Sequence, residues 1–593
     1  MIEAIKKLDF YKTVHGPQYP DKTEYVYSGW TPRSTHYAQT NKITVFGNQG
    51  MVLKFLVKEF NETFFKQPLE KVLKSYKRRM DNALGKGVVG TKHIEALHKL
   101  GFLPLHVKGL PEGVEVNPKI PTLTMINTHP EFYWLTNYLE TAISGYLWVP
   151  YTSASIAREY FRILMAAAIK TGTPTEFVPF QGHDFSMRGM YPEAAQVSSA
   201  AHLAMGFVGT DTVTAIDELE AYYYANSDVE LVGTSVPATE HSVMCMGGQD
   251  DELGTFRRLL SLYPAGIVSI VSDTWDFWKV ITEYAVTLQD EIRARKPIMS
   301  YAAYDFNESC AGELQLAYDK GFRVAVFAAL NGDLEYVSID LDGGTAKLGA
   351  TVAPPEVIVP SKTVFRPDSG CPVKILTGYT YLDTDESGIY TGMSKYEIAE
   401  YIARREWKVA PEAIKLNGMY WDLEDLTHKL QECEVKGAVE TLWDSFGGEI
   451  NDKGFKQLQE VGLIYGDSIT LERARLITDR LAAKGFASGN VVLGIGSFTY
   501  QYNTRDTYGF AMKATWGQVD GIPRDIMKDP KTDDGTKKSA KGLMRVELED
   551  GEYVLYDQQT KEQEAQGELR TIFLNGELYN QQTLAEIREN ASK

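Results

Sequence analysis

Five short apolar runs in the middle of the chain each stop at glycine, aspartate, serine or arginine, and most are followed by a helical pattern. Residues 176–181 run into Gly182-His183-Asp184, and residues 266–271 end at Ser272-Asp273. Residues 363–365 end at Arg366-Pro367-Asp368-Ser369-Gly370, residues 463–465 at Gly466-Asp467-Ser468, and residues 491–493 at Gly494-Ile495-Gly496-Ser497. Buried parallel strands read as unbroken apolar runs of this kind, and a βα-barrel collects its chemistry at the C-terminal ends of its strands. Glycine and aspartate also punctuate ordinary strand-to-helix turns, so one such end carries little. Five in series predict a barrel with a site at its mouth.

Around that core the sequence predicts two further layers of organisation. Residues 1–175 and 506–593 read as a flanking α/β domain, with residues 176–505 as the barrel. Helix formers at three- and four-residue spacing fill residues 51–80, short extended pieces fill 103–126, and two apolar helices are expected over 130–147 and 153–170. Residues 298–362 and about 373–455 are too long for βα connections and are expected to be insertions with small structures of their own. Extended patterns return over 543–548 and 553–556, and a helix over 584–590 closes the chain. The class is α/β, an irregular βα-barrel with a flanking domain.

The chain has 593 residues, and acids outnumber bases 79 to 61, a net charge of −18 that argues against a general nucleic-acid binder. No apolar run approaches the roughly 18 residues of a membrane span, and the opening MIEAIKKLDFYK has no hydrophobic leader. Cys245, Cys310, Cys371 and Cys433 are scattered without zinc spacing, which points to a reduced, cytoplasmic enzyme. Gly85-Lys86-Gly87-Val88-Val89-Gly90 matches a dinucleotide fingerprint in letters but follows a basic helical run instead of a strand, so a helix–helix turn is expected there. Ile339-Asp340-Leu341-Asp342-Gly343-Gly344-Thr345 reads as a hairpin turn.

Jointly the strand ends supply Arg188 and Arg366 for phosphate oxygens, and Gly494 and Gly496 for close backbone approach, with Arg505 following. Asp273, Asp368 and Asp467 are carboxylates for a ribose diol, Mg²⁺ or a developing positive charge, and His241 sits beside a strand expected to end near Ser235. This set suits a phosphorylated sugar with a divalent metal. A barrel glycoside hydrolase would use the aspartates but leave the arginines without a task.

The blocks also resemble a known family. Asp9-Phe10-Tyr11-Lys12, His183-Asp184-Phe185-Ser186-Met187-Arg188-Gly189, Gly209-Thr210-Asp211-Thr212, Val236-Pro237-Ala238-Thr239-Glu240-His241-Ser242 and Arg366-Pro367-Asp368-Ser369-Gly370 resemble, in order, those of nicotinamide phosphoribosyltransferases. Gly466-Asp467, Thr504-Arg505-Asp506 and the late basic stretch around Lys528 and Lys537 continue the series. The resemblance implies a homodimer with shared active sites and transfer of a ribosyl 5-phosphate from phosphoribosyl pyrophosphate to nicotinamide. It implies Tyr11 of the partner chain and Phe185 around the pyridine ring, with Asp211 and Arg366 also at the nicotinamide. Arg188, Arg366 and His241 would face pyrophosphate, joined by Arg33, Lys528 and Lys537 of the other chain. Asp368, Gly466 and Asp467 would hold the ribose, and Gly496, Ser497 and Arg505 the 5′-phosphate. His241, Asp273 and Asp368 form the implied catalytic set, with Mg²⁺ at Asp273 or Asp368 and ATP as an activating co-substrate acting through His241. Ser497 and Phe498 depart from the family's run of glycines. The nearest alternative is a nicotinate phosphoribosyltransferase.

Overall fold

The computed structural model describes residues 2–303, 323–330, 333–339, 356–528 and 538–593. Two compact units emerge: Met1–Arg162, Asp184–Gly233 and Gly496–Lys593 form the first, Ile163–His183 and Thr234–Ile495 the second.

The second unit is built on the strands that the apolar runs announce. The six-stranded sheet that contains them has the order Gly209–Thr210, Gly182–Phe185, Val491–Gly496, Val461–Tyr465, Lys362–Arg366 and Ile267–Val271. The last four pair in parallel. The first announced strand, Gly182–Phe185, thus lies beside the last, Val491–Gly496, the wrap-around of a barrel, and the sheet curls as an incomplete βα-barrel. Its strands are buried almost end to end, as in Val461–Tyr465, which explains their unbroken apolar spelling.

Several sequence expectations need correction. The run 176–181 is helical, Thr175–Phe177 and Val178–Gln181, and the strand starts only at Gly182. Pro179, without an N–H, stands in the first turn of that second helix, where no donor is missed. Near Ser235 there is no strand. Ala238 alone bridges Ser269, because Pro237 can offer a carbonyl to Ser269 N–H but no donor of its own. The supposed second insertion is shorter than 373–455. Its sheet runs Tyr381–Asp383, Ala413–Leu416, Met419–Asp422, Lys429–Leu430, around a small core of Tyr390, Ile398, Ile402 and Ile414. The helices Pro372–Thr377 and Ala438–Phe446 instead pack on each other, and the latter on the strand Val461–Tyr465, as barrel helices do. Residues 298–362 hold a separate four-stranded sheet, Asp333–Ile339, Arg323–Leu330, Ile298–Ala303, Glu356–Val359. The stretch 340–345 lies outside the described residues.

The first unit draws on both chain ends. Seven strands lie in the order Ile522–Asp525, Ala511–Val519, Thr23–Thr31, Leu123–Asn127, Leu105–Gly109, Arg570–Leu574, Glu577–Leu578. Trp30 is fully buried and stacks on Phe510 at 5.2 Å, tying an N-terminal strand to a C-terminal one. The unit also takes in residues 184–233, which the sequence assigns to the barrel. Arg588 explains part of this, since its guanidinium donates to the carbonyls of Leu203, Leu231 and Val232. Of the two helices expected before residue 170, the first begins as the short pieces Pro130–Phe132 and Leu135–Tyr138, and the rest of it joins the second in one helix, Glu140–Thr171, which tolerates Pro150 internally. The boundary between the units falls inside this helix, after Arg162, instead of near 175. The Gly85–Gly90 segment is a turn between helices Leu69–Leu84 and Lys92–Leu100.

Candidate active site

The second unit gathers its charged residues where three neighbouring strands end. Arg366 closes the strand Lys362–Arg366 and Asp273 follows Ile267–Val271, with Ser272 N–H donating to the Arg366 carbonyl at 2.9 Å. Asp273 Oδ2 accepts from Asp368 N–H at 2.9 Å and from Ser369 Oγ at 2.7 Å, which locks the turn after Arg366 onto the neighbouring strand. Arg366 donates to the Thr239 carbonyl at 2.8 Å, and its Nε lies 3.5 Å from Asp368 Oδ2. His241 opens the short helix His241–Cys245, with Nδ1 3.1 Å from Thr274 Oγ1 and Nε2 3.9 Å from Asp273 Oδ1. Tyr465 is buried beneath and donates to the Gly370 carbonyl at 3.0 Å. Asp467 is exposed just beyond that strand.

This cluster is electrostatically unfinished. Asp273 Oδ1, Asp368 Oδ1 and Arg366 Nε are buried and have no hydrogen-bond partner. A folded chain leaves few such atoms, because each costs about 1–3 kcal/mol of desolvation. Burial raises the Asp368 carboxyl, Arg366 pulls it back, and Asp273 pushes it up again. Two carboxylates and one guanidinium thus lie together with hydrogen bonds unmade, which a polyhydroxylated, multiply charged ligand would satisfy. Thr239, Thr274, Ser369 and Tyr465 were not legible as site residues, since hydroxyls are common and carry no spacing signal.

In the first unit, Phe185 ends the strand Gly182–Phe185 and Arg188 is exposed on the turn Met187–Gly189. Asp211 is exposed after the strand Gly209–Thr210, and its N–H donates to the Asp184 carbonyl at 3.0 Å. The helix Val213–Tyr223 has Thr212, not Asp211, at its N-cap. Gly496 precedes the short helix Ser497–Gln501. Ser497 packs on Gly189, where a Cβ would overlap its Cβ and Oγ, and Phe498 turns outward to stack on Tyr502. Arg505 pairs with Asp506 at 2.9 Å on the surface.

The same unit carries a cationic cluster that the sequence reading found only in part. Arg33 donates to the Gly509 carbonyl at 2.6 Å and, with Lys119, Lys513 and Lys538, lines a small cavity of about 40 Å³. Burial pulls the Lys513 amine down; Glu140 pulls it back up, while Arg33, Lys528 and Lys12 push it further down. The buried Thr515 hydroxyl in the cavity wall lacks a partner. Lys528 is exposed and its N–H donates to Ser539 Oγ. Lys537 lies outside the described residues. Tyr11 is 55 % exposed, with the His15 ring edge-on at 5.0 Å. Lys538 belongs to the late basic stretch read from the sequence, whereas Lys513 emerges only from the fold, because a lysine on a strand looks like surface charge.

Unfilled carboxylates and a guanidinium at barrel strand ends, with a separate basic cluster, belong to enzymes that handle phosphorylated sugars. A family model described as the nicotinate phosphoribosyltransferase (NAPRTase) family matches residues 180–309 and 361–577. The chain belongs to this family. The unmatched gap between those segments falls in the first insertion. A nicotinamide phosphoribosyltransferase of Acinetobacter baylyi is 47 % identical over 601 aligned positions, covering 100 % of this chain and 97 % of the relative. Proteins of the same description from Xanthomonas campestris and Mycoplasma pneumoniae are 26 % and 27 % identical, over 98 % and 90 % of this chain and 97 % and 93 % of their own.

Proposed function

We propose that the protein transfers the 5-phosphoribosyl group of phosphoribosyl pyrophosphate to nicotinamide, giving nicotinamide mononucleotide and pyrophosphate in pyridine nucleotide salvage. The observation that carries this reading is the trio of buried, unpartnered atoms on Asp273, Arg366 and Asp368. The 47 % identical relative described as a nicotinamide phosphoribosyltransferase supports the amide as acceptor.

The pyridine nitrogen attacks the anomeric carbon, the C1–N bond forms, and the C1–O bond breaks with its electron pair leaving on pyrophosphate. The attacking nitrogen carries no proton, so no general base is required and the carboxylates are free to act by charge alone. What the reaction needs is charge stabilisation: carboxylate oxygens near an oxocarbenium-like ribose and cations on the departing pyrophosphate. Asp368, Gly466 and Asp467 take the ribose hydroxyls in this proposal, Arg366, Arg188 and His241 the pyrophosphate, and Gly496, Ser497 and Arg505 the 5′-phosphate. Phe185 stacks on the ring, with Asp211 accepting from the carboxamide NH₂.

Mg²⁺ fits Asp273 and Asp368, whose free Oδ1 atoms are hard oxygen donors. Among the described residues no group of three or more His, Cys, Asp or Glu could hold a metal alone, which suits an ion that takes its remaining ligands from substrate phosphates. Such an ion would supply charge neutralisation at the leaving pyrophosphate. ATP enters the proposal as an activating co-substrate that phosphorylates His241, whose ring is half exposed beside Asp273.

A homodimer completes the site, with Tyr11, Arg33, Lys528 and Lys537 supplied by the partner; the exposed Tyr11 ring and the Arg33–Lys513–Lys538 cavity support this. A cytoplasmic setting accords with free Cys245, Cys371 and Cys433. Among the described residues no helix is long and apolar enough to cross a membrane. Titrating Mg²⁺–phosphoribosyl pyrophosphate into the protein and its Arg366→Ala variant tests the cluster: the variant should bind far more weakly, and equal binding would overturn the assignment.

A further inference from the structure

Asp184 is fully buried and yet collects more donors than its two oxygens need for ordinary satisfaction. Oδ1 accepts from Ser186 Oγ at 2.6 Å and Ser186 N–H at 3.1 Å. Oδ2 accepts from Ser199 Oγ at 2.6 Å, Thr212 Oγ1 at 2.8 Å and Thr210 Oγ1 at 2.9 Å. Thr210 Oγ1 in turn accepts from Thr212 N–H at 2.9 Å. A carboxylate accepts only, so it is the side chain that five converging donors call for.

The donors are not scattered. Thr210 and Thr212 are the two neighbours of Asp211, and the Asp211 N–H is held by the Asp184 carbonyl at 3.0 Å. On its own strand Asp184 precedes Phe185, and Ser186 begins the turn that carries Arg188. Through Oδ2 this buried carboxylate fixes the segment bearing Asp211 against the strand end bearing Phe185, with Ser199 of the helix Pro192–Ala204 as third anchor, while the turn of Arg188 hangs separately on Oδ1 through Ser186. We propose that Asp184 is a positioning residue for the pyridine ring, setting the Asp211 carboxylate relative to the Phe185 ring so that the carboxamide is read while the ring is stacked. This rests on the function proposed above. Asp184 acts through its neighbours and touches no reacting atom.

The test uses the purified full chain with nicotinamide, nicotinate and phosphoribosyl pyrophosphate as varied substrates. Thr212→Val keeps the shape and removes one donor, Thr212→Ser keeps the donor, and Ser199→Ala removes the third anchor with little loss of volume. Losing a hydrogen bond to a charged group should raise the nicotinamide KM of Thr212→Val roughly tenfold and lower its preference over nicotinate, with the phosphoribosyl pyrophosphate KM near wild type. Thr212→Ser should return to wild-type behaviour, and Ser199→Ala should move as Thr212→Val does. If Thr212→Val does not fold, Ser199→Ala decides alone. Both KM values rising together, equal behaviour of the Val and Ser variants, or an unchanged nicotinamide KM in Ser199→Ala would overturn the positioning role. A wild-type protein that makes no mononucleotide overturns the function and this role together, whereas an active wild type with no split between the two KM values overturns only this one.

Discussion

Arg366 stands at a strand end with part of its hydrogen-bonding capacity unused. It donates to Thr239, and its buried Nε faces Asp368 at 3.5 Å without making a hydrogen bond. Arg366→Ala should keep the melting temperature near wild type and weaken phosphoribosyl pyrophosphate binding by about 1.5–3 kcal/mol, the usual loss for a charge-assisted hydrogen bond. Asp211 decides between amide and acid. Its carboxylate can accept from a carboxamide NH₂ but would repel a nicotinate carboxylate, so Asp211→Asn should lower the preference for nicotinamide over nicotinate. An unchanged ratio in a folded variant would remove Asp211 from selectivity. Thr212 at the N-cap already weakens the alternative in which Asp211 only caps the helix. Glu252 gives a prediction in pH. It is buried with Oε1 unpartnered, and burial pushes its carboxyl from 4.5 up to about 7, against a smaller downward pull from Lys279. A carboxyl raised in the folded state stabilises most below its unfolded value, and that stability is lost as pH rises toward 7. Glu252→Gln removes the titration, so thermal melts from pH 5 to 8 should show the variant gaining on wild type as pH rises. A constant offset would mean that Glu252 does not titrate there.

At the scale of elements, Gly189 and Ser497 form a matched pair. A Cβ on Gly189 would overlap Ser497, so Gly189→Ala should destabilise the protein by about 1–3 kcal/mol, the usual cost of overpacking. Ser497→Gly in the same chain should recover most of that loss in a double-mutant cycle, and an additive cycle would contradict the contact. The pair also explains why Ser497 departs from a run of glycines: its side chain occupies the room that Gly189 leaves. The barrel strands were legible because burial on both faces spells them as unbroken apolar runs. Element limits were less so where proline lies within or at the start of a helix. Pro150 sits inside a 32-residue helix, and Pro179 opens a helix where a strand was read. The hydroxyl anchors of Asp184 were invisible for another reason, since Ser and Thr gain meaning only when the fold brings residues 186, 199, 210 and 212 to one carboxylate. The charged strand ends had no such handicap: Asp, Arg and His stand out against apolar runs.

For the whole molecule, the proposal divides each active site between two chains. Tyr11→Ala and Arg188→Ala homodimers should both be nearly inactive, while verified heterodimers should regain activity, because one of their two sites unites the intact halves. No recovery would contradict sharing. The central claim is the reaction itself. Incubation of the purified protein with nicotinamide, phosphoribosyl pyrophosphate and Mg²⁺, with and without ATP, should yield nicotinamide mononucleotide and pyrophosphate in equal amounts. Absence of the mononucleotide under both conditions, or turnover of nicotinate in preference to nicotinamide, would contradict the account.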